Sequence, residues 1–256
     1  TAYGEYALDA FDANGAGYAV GSSTVEFTEG VRIDKIVNLN SGNGNIIIRG
    51  KSSTTSMSTF GYGNSGFGIY YLTSPASINS GTGTIAIEGI NQNPSFTDYS
   101  SGIVFALASG RLTTITSAST SENAIQIKGY ATGANASNFG IEVDLSSPVS
   151  IEATALGGGI TLFTSQKATS DDRYELVARS TLSILAKSGP IKLLGGQNSG
   201  ASNGLFYNSD SGSIYLGSKA NSSITASSSD IIIQADQFSW NATTPTWPQI
   251  ATTGAV

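Results

Sequence analysis

An all-β, three-sided parallel β-solenoid is the fold class this sequence predicts, on three observations. The first is a segment that keeps returning: Asn45-Ile46-Ile47-Ile48-Arg49-Gly50, then Thr84-Ile85-Ala86-Ile87-Glu88-Gly89 39 residues on, then Ala124-Ile125-Gln126-Ile127-Lys128-Gly129 after 40 more. In each copy a branched apolar residue recurs two positions on, the period of a half-buried strand. The second is the unit around it. From Gly68 to Gly89 three apolar segments fit into about 22 residues, one turn of a three-sided stack. The third is composition: 12% charged residues, about half the usual share, with 31 Gly and abundant Ser, Thr and Asn in their place. That surface suits many tight turns, and no helix is needed anywhere.

At 256 residues the chain is long enough for one sizeable core. Its net charge of −6, with 12 scattered Lys and Arg, gives no footprint for nucleic acid. Cys and His are both absent, which excludes disulfides, the usual zinc and redox sites, and Ser-His-Asp or Cys-His catalysis. No cofactor is expected. No run approaches the roughly 18 apolar residues of a membrane span. Thr1 is not an initiator and no signal peptide precedes it, so the chain reads as a processed product or an internal piece of a longer one.

Residues 1–30 read as an atypical N-terminal turn or cap, with short strands such as Tyr18-Ala19-Val20 broken by Asp12-Ala13-Asn14-Gly15 and Gly21-Ser22-Ser23. Residues 31–235 read as the solenoid. Each unit opens with Gly-Ile (Gly68-Ile69, Gly102-Ile103, Gly140-Ile141). It continues with a short segment such as Ala76-Ser77-Ile78 or Val149-Ser150-Ile151, and closes on the recurring strand. One turn plus an outward loop per unit is preferred over two short turns, because Lys51–Ser65, Ile90–Ser101 and Tyr130–Asn138 are polar and loop-like. Looser copies of the recurring strand are read at Ile160, Ile191, Ile214 and Ile231. Their spacings of 35, 31, 23 and 17 residues suggest loops that shrink toward the C-terminus. Residues 236–256, with both Trp and two of the six Pro, break the pattern and read either as a cap over the last sheet edge or as a linker.

The run Gly81-Thr82-Gly83-Thr84-Ile85-Ala86-Ile87-Glu88-Gly89, a polar loop, Gly-Ile and then an x-Ser-Ile strand resembles the repeats of filamentous-haemagglutinin-like adhesins, very long secreted bacterial proteins. Ser213–Gln234 resembles their shorter repeats, and the likeness covers roughly residues 30–235. The resemblance implies a right-handed parallel β-helix, three strands per turn with protruding loops, forming the shaft of a surface fibre. The Asn-Pro-rich secretion signature of that family is not evident; the lone Asn93-Pro94 lies in a mid-chain loop, which favours a shaft fragment.

Carboxylates are the remaining candidates for chemistry. Polysaccharide-cleaving β-helices use Asp/Glu pairs on adjacent turns, and the cluster here is Glu142, Asp144, Asp171, Asp172, Arg173, Glu175 and Arg179. Alternation points Glu142 and Asp144 outward on one strand, with Glu175 about 5 Å away along the stack one turn later. Such a pair can act as acid and base or share a hard cation. The stronger reading is a solvated face compensated by the arginines. Arg49, Glu88 and Lys128 form a second row of alternating sign, read as structural, with about 0.2–1 kcal/mol per opposite pair. Exposed aromatics are the third group: Tyr70 and Phe206 on outward strand positions, and Tyr62, Phe96, Tyr99, Tyr130 and Phe139 in or beside loops. They suit glycan or partner contact, although pinning loops to the shaft is the commoner role. Asp12–Gly15 resembles the start of a calcium loop but lacks its downstream Glu. The sequons at Asn135, Asn221 and Asn241 matter only in a eukaryotic secretory host.

The function expected is a structural and adhesive shaft module of a fibre, extracellular or on a bacterial cell surface, not an enzyme. Its expected partners are copies of itself or neighbouring domains, and surface glycans. The alternative is a β-helical polysaccharide-degrading enzyme or phage tailspike-like glycan binder. Ice binding is set aside, because Thr113-Thr114 and Thr161 form no Thr-x-Thr ladder.

Overall fold

The computed structural model describes residues 17–20, 28–34, 37–54, 68–72, 76–92, 101–106, 112–132, 139–144, 148–166, 176–195, 205–208, 213–218, 230–234, 237–240 and 249–251. In chain order the first strands are β1 (Ala19–Val20), β2 (Val31–Asp34), β3 (Val37–Asn40), β4 (Ile46–Lys51), β5 (Ile69–Leu72), β6 (Ala76–Asn79) and β7 (Ile85–Asn91). Next come β8 (Ile103–Phe105), β9 (Thr113–Ser117), β10 (Ile125–Ala131), β11 (Ile141–Val143), β12 (Val149–Ala153), β13 (Ile160–Gln166) and β14 (Leu176–Ala178). The last are β15 (Thr181–Ala186), β16 (Ile191–Gly195), β17 (Leu205–Asn208), β18 (Ser213–Ser218), β19 (Ile231–Gln234), β20 (Gln237–Trp240) and β21 (Gln249–Ala251).

Every third strand pairs in parallel, giving three seven-stranded sheets: β1-β4-β7-β10-β13-β16-β19 (sheet A), β2-β5-β8-β11-β14-β17-β20 (sheet B) and β3-β6-β9-β12-β15-β18-β21 (sheet C). This is a parallel β-helix, and β2 to β19 make six complete three-strand turns.

Alternation dictates what fills the lumen. In sheet A, Ile46, Ile85, Ile125, Ile160, Ile191 and Ile231 stack in register, and so do Ile48, Ile87, Ile127, Leu162, Leu193 and Ile233. Ile69, Ile103, Ile141 and Leu176 form the matching row in sheet B. Sheet C supplies Leu39, Ile78, Ile115, Ile151 and Ile184. These side chains merge into one apolar column, so the interior is a close-packed core rather than a channel.

The turns from sheet C to sheet A repeat one device. Asn40 Oδ1 accepts from the Gly42 amide at 2.9 Å, and one turn later Asn79 Oδ1 accepts from the Gly81 amide at 2.8 Å. Gly81 has φ +58°, the left-handed region, and a Cβ there would overlap the Gly42 carbonyl stacked against it. Coils are also tied directly, since Asn45 Oδ1 accepts from the Thr84 amide at 2.9 Å.

The corner from sheet A to sheet B explains why the recurring strand carries a Gly and the next segment begins with another. Gly50, Gly89 and Gly129 lie in register. A Cβ on Gly129 would overlap the Gly140 carbonyl, as one on Gly89 would overlap that of Gly102. The backbones on either side of the segment between each such Gly pair therefore lie directly against each other. The Gly does not end the strand: β7 runs on to Asn91 and β10 to Ala131.

Two expectations change. Ile214 sits in β18 of sheet C, not in the sheet A row, and β16 pairs with β19, which places Ile231 40 residues after Ile191. The apparent shortening toward the C-terminus came from counting a strand of another face. Within residues 236–256, β20 and β21 continue the ladders of sheets B and C, pairing with β17 and β18. Asp12–Gly15 lies outside the described residues.

Candidate functional site

Two charged clusters lie outside the apolar lumen. The first follows from β11. Ile141 and Val143 point into the lumen, so Glu142 between them faces away from it. Facing away is not exposure here: Glu142 is only 3% exposed and Asp144 only 4%. The solvated face read from the sequence is thus corrected, because alternation decides the side of a strand and not what covers that side. The parallel ladder continues one residue past β11 and β14, through Asp144 N–H to Phe105 O at 2.9 Å and Arg179 N–H to Val143 O at 2.7 Å. This sets Arg179 one strand over from Asp144. Its Nε lies 3.6 Å from Glu142 Oε1, and its guanidinium stands 5.5 Å from the Phe139 ring centre. Ser101 Oγ donates to Glu142 Oε2 at 3.0 Å.

Burial pushes the Glu142 carboxyl up to about 7; Arg179 pulls it down, Asp144 pushes it up and the Ser101 hydrogen bond pulls it down. Loss of hydration outweighs Arg179 because, among the described residues, the carboxylate has one direct hydrogen bond and a loose ion pair. The position stacked on Glu142 in the next turn is Val177, not an acid. Glu175, Asp171, Asp172 and Arg173 lie outside the described residues. Among the described residues no group of three or more His, Cys, Asp or Glu is placed to hold a metal ion.

The second cluster is the alternating row on the outer face of sheet A, and here the register is as expected: Arg49 pairs with Glu88 and Glu88 with Lys128. Glu88 is 6% exposed. Arg49 Nε lies 3.0 Å and Lys128 Nζ 3.4 Å from its oxygens. The Arg49 N–H is not aimed at the carboxylate, so that contact is an ion pair rather than a hydrogen bond. Tyr18 donates its hydroxyl to Glu88 Oε2 at 2.9 Å. Its ring lies 5.7 Å from the Arg49 guanidinium and 4.5 Å from Lys51 Nζ. Tyr18 was missed as a member of this row. Its signal was the pairing of Ala19 with Gly50, which places Tyr18 beside Arg49.

The aromatics divide. Tyr130, expected among exposed contact residues, is 2% exposed and packs with Tyr18, Ile90, Phe163 and Leu194 in a small apolar cluster outside the lumen. Burial also pushes its hydroxyl up to about 12. Phe139 is buried as well. Phe206 was placed on an outward position equivalent to Tyr70. The register instead pairs it with Leu176, in the row of Ile69, Ile103 and Ile141, and Tyr207 holds the row of Tyr70. Tyr62, Phe96 and Tyr99 lie outside the described residues.

Compared with protein-family models, curated proteins and solved structures, the chain has no significant match. Among the described residues no helix is long and apolar enough to cross a membrane.

Proposed function

We propose that the chain is a structural and adhesive shaft module of a secreted or cell-surface bacterial fibre. The reading rests chiefly on one observation. Three unbroken parallel ladders enclose a filled apolar column, while the carboxylates best suited to acid–base work, Glu142 and Asp144, are buried at 3% and 4% exposure. A solenoid of this kind presents extended side faces to partners. The haemagglutinin-like repeats support the same reading, with glycans or copies of the chain as partners. Seven strands at about 4.8 Å spacing make a stack about 30 Å long. Electron microscopy across a concentration series tests the proposal. Rods a few nanometres wide that lengthen with concentration are expected; compact particles with a lateral groove would overturn it.

One observation favours the alternative, a polysaccharide-degrading enzyme. A carboxyl that holds its proton to about pH 7 beside an arginine is the form a general acid takes. That reading requires product release from a polysaccharide near neutral pH, abolished in Glu142→Gln.

A further inference from the structure

We infer that the outer face of sheet C is a docking surface for an extended, uncharged polysaccharide. This deepens the glycan-contacting reading above and rests on it for the class of partner. Four of its strands, β3, β6, β9 and β15, alternate in burial, whereas Ser150 in β12 is buried; in β3 and β6 every inward residue is apolar and every outward one polar. The outward positions form two rows. Asn38, Ser77 and Thr114 stack in one, and Asn40, Asn79 and Thr116 in the other. The steps are about 4.8 Å between coils and about 6.6 Å along each strand.

The side chains of Asn38, Ser77, Thr114 and Thr116 make no hydrogen bond to another described residue. Asn40 and Asn79 commit only their Oδ1 atoms, to the turn amides, which leaves both NH2 groups free of those bonds. The face is thus a fixed lattice of donors and acceptors without an internal use. The linkers entering and leaving β3, β6 and β9 have two to seven residues, whereas those from β4, β7 and β10 into sheet B have nine to seventeen.

Charge and area select the occupant. These six side chains are all neutral, so neither a polyanion nor an anionic membrane gains the ionic attraction such partners need. The next coil adds one carboxylate, Glu152, which already accepts from Ser150 Oγ at 3.1 Å. The two rows span three strands, about 10 Å across them and about 7 Å along them, far below the ~800 Å² per partner in a stable protein complex, and none of the six side chains is apolar. A neutral polysaccharide needs neither charge nor a large apolar patch. Its hydroxyls repeat along the chain and both donate and accept, as Ser, Thr and Asn side chains do.

The test is retention of the purified chain on cellulose, chitin and insoluble starch, with heparin and alginate beads alongside. Ser77→Glu/Thr114→Glu is compared with Ile47→Glu, which places one such carboxylate on the exposed face of sheet A instead. Retention on at least one neutral polymer is expected, at least tenfold weaker in the sheet C double variant and unchanged in Ile47→Glu. If the charged double variant does not fold by circular dichroism, Ser77→Ala/Thr114→Val keeps the shape and is expected to weaken retention several-fold. No neutral retention, equal retention in the variants, or a preference for the anionic beads would overturn the inference. Faceted ice growth without polysaccharide retention would overturn it too and assign the lattice to ice. Microscopy of the same preparations separates the two proposals: rods without retention refute only this one, and retention without rods refutes only the fibre.

Discussion

Glu142 makes the solenoid less stable as the solution becomes more alkaline. In the unfolded chain its carboxyl ionises near its ordinary 4.5, and in the folded chain it holds its proton to about 7. Below about pH 4.5 the group is neutral in both states and contributes no pH dependence. Between 4.5 and 7 the folded state binds more protons than the unfolded one, so stability falls as pH rises. Above about 7 the loss is complete. The interval, at about 1.4 kcal/mol per pH unit, amounts to about 3 kcal/mol. Glu142→Gln keeps the shape and removes the titration. Urea melts of both proteins from pH 4 to 8.5, followed by far-UV circular dichroism, measure the difference directly, because the other carboxylates are shared and cancel. The variant is expected to gain about 3 kcal/mol on the wild type between pH 4.5 and 7.5 and to level off on either side. Arg179→Met should move the midpoint of that gain to higher pH, since the cation that helps ionise Glu142 is gone. A difference that stays flat with pH, or that favours the wild type as pH rises, refutes the burial account.

Two further outcomes follow from the outer face of sheet A and its corner. Glu88→Ala strips a buried carboxylate from Arg49, Lys128 and the Tyr18 hydroxyl, and should cost about 2–4 kcal/mol in urea melts; a cost under 0.5 kcal/mol would mean the row is only a surface ornament. Gly129→Ala forces a Cβ into the Gly140 carbonyl, so a loss of at least about 3 kcal/mol is expected in the same measurement, and a neutral result would show that the two backbones do not meet.

The sequence by itself determined the fold class and the phase of the recurring strand. An Ile at every second position needs a partner strand above and below it, and the 39- and 40-residue spacings state which strands those are. It also determined the row Arg49, Glu88 and Lys128, because identical phase in a parallel ladder brings equivalent positions together. It did not determine the face of a weakly marked strand. Ser213-Ile214-Tyr215-Leu216 alternates as the sheet A strands do, and only its pairing with β15 places it in sheet C. Register decides Phe206 in the same way: it pairs with Leu176 and not with the row of Tyr70, since a period of two makes any slip of one residue a change of row. The tertiary structure alone decided burial on the outer faces. Period two divides a strand into lumen and outside, but whether the outside is wet depends on segments distant in sequence. Glu142 and Tyr130 carry an outward phase and lie under cover, whereas Asn38, Ser77 and Thr114 carry the same phase on strands flanked by linkers of two to seven residues.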